Sequence, residues 1–306
     1  MSSSGSTRAI VAALVANAGI AAAKFVGFLI TGSSSMLAEA VHSVADTSNQ
    51  GLLLFGQRQA RKQADRLHQF GYGRSRYFYS FVVALVLFSL GSVFALYEGY
   101  HKISHPQSLT SPAVAIVILV LAIGLEAFSF RTAMVESKPL KGTSSWWQFI
   151  RRSRNPELPV VLLEDTGALI GLVLALLGVG LTVLTGKPVW DGIGTAAIGV
   201  LLGVIAVILM VEMHSLLIGE GATGAESQAI QAAIEQTEHV DRVIHLRTQY
   251  LGPEEMLVAA KIALAADTDL ATVAATIDTA EAAVRAVVPA AQVIYLEPDL
   301  DRALTP

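Results

Sequence analysis

LPVVLLEDTGALIGLVLALLGVGLTVL, residues 158–184, is the stretch that decides the fold. It runs for 27 residues with Glu164 and Asp165 as its only ionisable side chains. A helix of that length covers about 40 Å, more than the ~30 Å hydrocarbon core of a bilayer. Lipid offers backbone groups no outside partner, so a helix is the economical form for such a segment. Five more stretches of the same kind lie at residues 9–30, 34–55, 77–97, 112–130 and 190–217. The sequence therefore predicts an all-α membrane domain of six helices over residues 1–218.

Loop charges orient these spans. Arg58, Arg61, Lys62, Arg66, Arg74 and Arg76 lie between spans two and three, and Arg131, Lys138, Lys141, Arg151, Arg152 and Arg154 between spans four and five. The opposite loops hold Lys102 and Lys187. Basic short loops mark the cytoplasmic side. Both termini are thus expected in the cytoplasm, or on the equivalent side of an organelle, with the plasma membrane as the expected location. A signal peptide would be shorter than residues 9–30 and would precede a soluble domain rather than a second apolar helix.

Composition agrees. The 306 residues are 53% hydrophobic and 15% charged, without cysteine. That excludes a purely soluble enzyme, a disordered chain, a disulfide scaffold and thiolate chemistry. The net charge of −4 hides a split: residues 1–218 carry 16 basic and 11 acidic side chains, while residues 219–306 carry 5 and 14. Two domains follow, and nothing favours nucleic acid as a partner. In the acidic tail, periodicity predicts a helix at 225–237, strands at 243–250 and 256–264, a helix at 270–287 and a strand at 292–296. This αββαβ order suits a three-stranded sheet with both helices on one face. Between the two parts of the membrane domain, Trp146, Trp147, Phe149 and Ile150 precede three arginines. A short interfacial helix with its aromatics at headgroup level is expected there, with an ordinary loop packed on its own protein as the alternative.

Ionisable groups inside a span are costly unless they face a polar cavity or a partner. Span two holds Glu39, His42 and Asp46 at spacings of three and four, hence on one helix face, with Asn49 three residues further on. Span five holds Glu164 and Asp165. Carboxylates and an imidazole converging inside a membrane suit a divalent cation: Zn²⁺ for a shell with nitrogen, Mn²⁺ or Fe²⁺ for one richer in oxygen. Glu98 is read as a span-end charge, Glu126 as internal polar packing, and Lys24 as the partner of an inward carboxylate or a side chain that snorkels to the interface.

TGSSSMLAEAVHSVADTSNQ (31–50), FGYGRSRYFYSFVVALVLFSLGSVFALYEG (70–99), NPELPVVLLEDTGALIGL (155–172), VIHLRTQYLGP (243–253) and VIYLEPD (293–299) resemble the cation diffusion facilitator family over nearly the whole chain. VLLED, with WWQF ahead of it, is most similar to the zinc transporter nine branch. The resemblance implies a six-helix membrane domain, a C-terminal α+β ferredoxin-like cytoplasmic domain over residues 219–306, and a homodimer held through that domain. It implies a transporter, not an enzyme, that exports a divalent metal, Zn²⁺ first, in exchange for protons. No prosthetic group is implied. The family site takes two ligands from span two and two from span five. His42 and Asp46 match the first pair and Asp165 the second ligand of span five, but Val161 stands where its first ligand belongs. Glu164, Glu39 or water then supplies the fourth position, and Mn²⁺, Fe²⁺ and Co²⁺ become alternatives.

Adjacent helical residues diverge by about 100°, so Glu164 and Asp165 cannot both face the site squarely unless the helix is distorted; the resemblance ranks Asp165 first and Glu164 second. Asp65 and His68 match two positions of an accessory metal site found in some relatives, with Tyr72 at the third; they form a weaker accessory candidate. Lys261 and Tyr295 occupy two positions where relatives bind regulatory zinc with histidine, and His239 and His245 do not restore that pattern. An intramembrane metalloenzyme would need a nucleophilic water on a fixed metal, usually with a HExxH-type helix or an Asp pair, and no such motif occurs in the sequence. A non-transporting metal sensor or scaffold remains the rival class.

Overall fold

The computed structural model describes residues 2–31, 34–106 and 111–300; within helices it leaves out the side chains of residues 2–5, 28, 30–31, 34–42 and 45. The described chain falls into two compact units, residues 1–59 with 76–214, and residues 60–75 with 215–306. The sequence places a border at 218/219, and residues 60–75 group with the tail.

The first unit is helical. Its elements are α1 (Ser2–Thr31), α2 (Ser34–Ala60), α3 (Ser75–Val86), a π-helical segment Leu87–Val93, α4 (Phe94–Ser104), α5 (Pro112–Lys141), α6 (Trp146–Arg152), α7 (Glu157–Thr185) and α8 (Val189–Ile218). Five helices among the described residues are long and apolar enough to cross a membrane: Ser6–Gly27, Ser75–Ser104, Pro112–Lys141, Glu157–Thr185 and Val189–Ile218. Large apolar side chains such as Val15, Leu121, Leu177 and Leu184 point outward from them, as lipid-facing positions do. α1, α5 and α7 pack together.

Two local rules set the helix ends. α7 carries Pro156 at its N-cap and Pro159 in the first turn, where a missing N–H costs no helical bond. α5 runs past residue 130, the expected end of span four, through the basic segment to Lys141, and stops at Gly142 with φ of 55°. α6 is the expected short helix. Ser145 and Gln148 cap it reciprocally, Phe149 is buried, Trp147 is half exposed, and Arg151 pairs with Glu212 at 3.1 Å. It therefore packs on its own protein through Phe149 and turns Trp147 away.

Without a hydrophobic drive between helices in lipid, close approach depends on small residues. α8 presents Gly192, Ala196, Gly199 and Gly203 at spacings of four, three and four. A Cβ on Gly199 would lie 2.8 Å from Leu96 N, and one on Gly99 would lie 2.6 Å from Ala196 N. In the π-helical segment Ser92 Oγ donates to the Gly199 carbonyl at 2.8 Å. The sequence reading predicted an ordinary helix at 77–97 and gave the glycines of α8 no role.

The second unit contains α9 (Gly224–Glu235), β1 (Val240–Gly252), β2 (Glu255–Leu264), α10 (Leu270–Val287) and β3 (Ala291–Asp299). β2 is central, antiparallel to β1 and parallel to β3. α9 packs on β1, α10 on β3, and the helices touch each other. The core between helices and sheet is built by Ile230, Ile234, Val243, Met256, Val258, Ile262, Val284 and Ile294 among others. The parallel β2–β3 pair needs a crossover, and α10 supplies it. Residues 60–75 lie against the β1–β2 hairpin, where a Cβ on Gly73 would come within 2.8 Å of Leu251 O. A cavity of about 430 Å³ opens there between Phe70, Tyr72, Arg74 and Leu251, Leu257.

Gly99→Ala is expected to destabilise the helical unit by about 1–3 kcal/mol, because the clash is with backbone that cannot swing aside. Gly124→Ala, which meets nothing within 4 Å, serves as the control. Thermal unfolding of the purified protein in detergent reads the difference, and equal melting temperatures would contradict the packing described.

Candidate functional site

The backbone of α2 carries Glu39, His42, Asp46 and the pair Asn49 and Gln50 on successive turns. The side chains of Glu39 and His42 lie outside the described residues, so the imidazole and the first carboxylate of the expected set have no stated geometry. Asp46 is described and partly buried. It acts electrostatically on Glu126 of α5 and on Glu164 of α7. Asp165 in turn feels Glu126 and Glu164. Four carboxylates from three helices thus share one region. Lys24 of α1 acts on Glu126 as an opposing charge, which gives Lys24 an inward carboxylate as its electrostatic partner.

The two neighbours on α7 diverge, as helix geometry requires. Glu164 turns to α2, where Gln50 Nε2 donates to its Oε2 at 3.0 Å. Asp165 turns to α5, where Ser129 Oγ donates to its Oδ2 at 2.7 Å. The carboxylate of α7 that meets α2 is therefore that of Glu164. Glu164, Asp165 and Glu126 are all buried. Val161, where a first ligand of span five was expected, is a buried apolar side chain. Among the described residues, no three His, Asp or Glu side chains stand close enough to hold one ion.

Glu126 is the residue that the sequence reading passed over as packing. A signal for it exists in α5: Ala122, Glu126, Ser129, Ala133 and Ser137 form its buried face at spacings of four, three, four and four. A carboxylate in the middle of a small-residue stripe faces other helices, not lipid. Like charges gathered in a low-dielectric interior repel one another unless a cation or protons neutralise them. The arrangement can therefore hold positive charge.

A second buried charge pair joins α3 to α7. Arg76 Nε donates to Glu157 Oε1, and Nη2 donates to Oε2 at 2.7 Å. Their side chains are 8% and 1% exposed. Arg76 was counted among the basic loop residues. It belongs instead to the first turn of α3, because a guanidinium with a bidentate carboxylate partner can be buried where a lone one cannot. In the last turn of α6, the exposed Arg151 pairs with Glu212. At the other pole of α2, Gln57 Nε2 donates to Ser6 Oγ at 2.8 Å, and Thr7 donates to Gln57 Oε1 at 2.9 Å.

Asp65 and His68, the accessory candidates, sit in the loop of the second unit. Asp65 Oδ1 accepts the N–H groups of Leu67 (2.9 Å) and His68 (2.7 Å), and Oδ2 accepts the Tyr72 hydroxyl at 2.6 Å. The His68 ring lies tilted against Tyr72 with centroids 4.4 Å apart, and its Nδ1 stands 3.6 Å from Asp65 Oδ1. Both oxygens of Asp65 are thus engaged by its own loop. In the tail, Lys261 pairs with Glu297 (2.9 Å) and Asp299 (3.0 Å), while Tyr295 is exposed.

Residues 10–218 match the family model described as the cation efflux transmembrane domain. Over 232 residues the chain is 33% identical to the mitochondrial proton-coupled zinc antiporter SLC30A9 of Mus musculus, covering 75% of this chain and 41% of that protein. It is 33% identical over 242 residues to the protein of the same name in Xenopus laevis, covering 78% and 43%. It is 29% identical over 261 residues to metal tolerance protein C4 of Arabidopsis thaliana, covering 84% and 57%. The chain spans less than half the length of the two animal relatives.

Two outcomes test this geometry. Arg76→Met strands the Glu157 carboxylate in an apolar site and is expected to cost about 3–5 kcal/mol, most of it regained in Arg76→Met/Glu157→Leu. Chemical unfolding in micelles measures both, and a stable single variant would refute the burial. Hydrogen bonding, first from Tyr72, holds the Asp65 carboxyl down at about 2. A depressed folded pKa means a stabilising contribution present above the unfolded value of about 3.9 and lost as pH falls towards 2. Tyr72→Phe should therefore raise the pKa of Asp65 and shift that loss to higher pH, as followed by NMR of the Asp65 carboxyl.

Proposed function

The chain is an integral membrane protein that belongs to the cation efflux (cation diffusion facilitator) family, and on that premise we propose that it carries a divalent metal, Zn²⁺ first, across a membrane in exchange for protons. The observation that carries the reading is the burial of Glu126, Glu164 and Asp165 between apolar helices, with Asp46 in electrostatic reach of Glu126 and Glu164. Carboxylates in such a place are functional by default. The family is one of transporters rather than enzymes, and relatives bear the names of a zinc antiporter and a metal tolerance protein.

His42, Asp46 and Asp165 are the proposed ligands, Asp165 exchanging its Ser129 contact for the ion, with Glu164, the α7 carboxylate that meets α2, and Glu39 as candidates for the fourth position that Val161 leaves open. α2 would be the sixth span, beside the five apolar helices. Six crossings and the basic loops support termini on the cytoplasmic side or its organellar equivalent. The plasma membrane is not favoured over other membranes, because the animal relatives are named as mitochondrial. The αββαβ tail is read as a ferredoxin-like cytoplasmic domain over 219–306, and as the contact through which two copies pair.

Exchange follows from ligand chemistry. Carboxylates and imidazole bind metal only when deprotonated, so metal and protons exclude one another at the same side chains. An imidazole titrates near neutral pH, which makes His42 the proposed group that trades metal for a proton on the far side. Glu126 is a further carboxylate within electrostatic reach of that exchange. The oxygen-rich surroundings and the apolar Val161 keep an Mn²⁺, Fe²⁺ or Co²⁺ exporter as the second reading. Asp65 and His68 are read as a loop clasp, since the loop's own donors already occupy the carboxylate. A metal-sensing scaffold that moves no ion is the rival to both transport readings.

Proteoliposomes with an imposed pH gradient should take up Zn²⁺, and Asp46→Ala and Asp165→Ala should each reduce the initial rate by about a hundredfold or more. Uptake that ignores both substitutions, or that is insensitive to the pH gradient, would overturn the proposal.

A further inference from the structure

Three buried side-chain oxygens at the α2–α7 contact accept no hydrogen bond from a described residue: Asn49 Oδ1, Gln50 Oε1 and Glu164 Oε1. Asn49 is 1% exposed, Gln50 0% and Glu164 8%. Gln50 Nε2 donates to Glu164 Oε2, which fixes its amide: turning it over would set two oxygens against each other. Asn49 interacts with the same carboxyl from the neighbouring position on α2.

An unpartnered buried acceptor is costly, and three together are harder still to satisfy. One water molecule has two hydrogens to give, so filling all three places with protons takes a second water or a proton on the carboxyl itself. A cation can serve all three, because carboxylate and amide oxygens are the donors that hard divalent ions take. Asn49 lies three residues beyond Asp46 and Gln50 four, so the oxygens adjoin the proposed ion site along the same helix.

We infer that Asn49, Gln50 and Glu164 form an oxygen-only cation position next to Asp46, and that this position sets the metal preference of the transporter by favouring Mn²⁺ relative to Zn²⁺. It supplies donors on α2 and α7 where Val161 supplies none. The inference rests on the transport reading above and deepens it. Nitrogen donors hold Zn²⁺ well, whereas amide and carboxylate oxygens add more to the binding of Mn²⁺. Removing the amide oxygens therefore acts on one metal more than on the other, which a purely structural role of Asn49 and Gln50 would not do.

The test uses the full chain in lipid nanodiscs. Free Mn²⁺ is followed by electron paramagnetic resonance, and Zn²⁺ by competition with a chromophoric chelator. Asn49→Leu and Gln50→Leu are each expected to weaken Mn²⁺ binding about tenfold while changing Zn²⁺ by less than about threefold. Asn49→Asp, which keeps an oxygen at that place, should retain Mn²⁺ binding. The ratio of the two affinities is taken within one preparation, so a loss of folded protein cancels. Equal weakening of both metals, or no change in either, overturns the inference and leaves the transport reading standing if the wild type still moves Zn²⁺ in liposomes. A wild type that binds neither metal and transports neither overturns both.

Discussion

A charged side chain in hydrocarbon has nowhere to go but to another helix, and the helical unit is organised by that constraint. Glu157 is held by Arg76, Glu164 by Gln50, Asp165 by Ser129, and Glu126 lies in the field of Lys24 and Asp46. Each of these relations crosses from one helix to another, so together they connect α1, α2, α3, α5 and α7. The Arg76–Glu157 pair is complete in itself: two charges of opposite sign, fully bonded, with nothing left to attract a ligand. The carboxylates further along are not complete. They are mostly of one sign, and several of their neighbouring oxygens lack donors among the described residues. The first arrangement holds helices together; the second leaves a demand for positive charge. That difference separates a structural ion pair from a candidate transport site.

Polar contacts alone would leave the helices loosely packed. Elsewhere the unit relies on the absence of side chains. Gly192, Ala196, Gly199 and Gly203 make a flat face on α8, against which Gly99 and Leu96 rest at backbone distance. Dispersion forces replace the hydrophobic drive that lipid cannot provide. The π-helical turn at Leu87–Val93 belongs to the same contact, with Ser92 bonding to the Gly199 carbonyl.

The second unit shows how one substitution changes what a loop can do. Tyr72 stands where the resemblance implied a histidine, and its hydroxyl closes on Asp65. The His68 ring lies tilted against Tyr72, with Nδ1 3.6 Å from Asp65 Oδ1. Lys261 does something similar on the sheet. It brings a positive charge to Glu297 and Asp299, in a tail, residues 219–306, whose acidic residues outnumber its basic ones 14 to 5.

Much of this was legible in the chain itself. Long apolar runs specify membrane helices because lipid gives the backbone no alternative, and the alternation of the tail specifies its strands and helices because the sheet has one buried face. The intramembrane carboxylates were visible for the same reason: they break an apolar run. What the sequence could not decide was direction. Whether Glu164 or Asp165 meets α2 depends on the rotation of α7 against its neighbours, and that Arg76 leaves the loop for the interior depends on Glu157, 81 positions away, arriving opposite it. Glu126 was read as packing because its partners lie on three other helices, and the loop at 60–75 was assigned to the membrane domain because chain order says nothing of the hairpin it rests on. Periodicity is a property of one segment, whereas a site made by several segments exists only after they are packed, when the direction of each side chain is fixed by all the others.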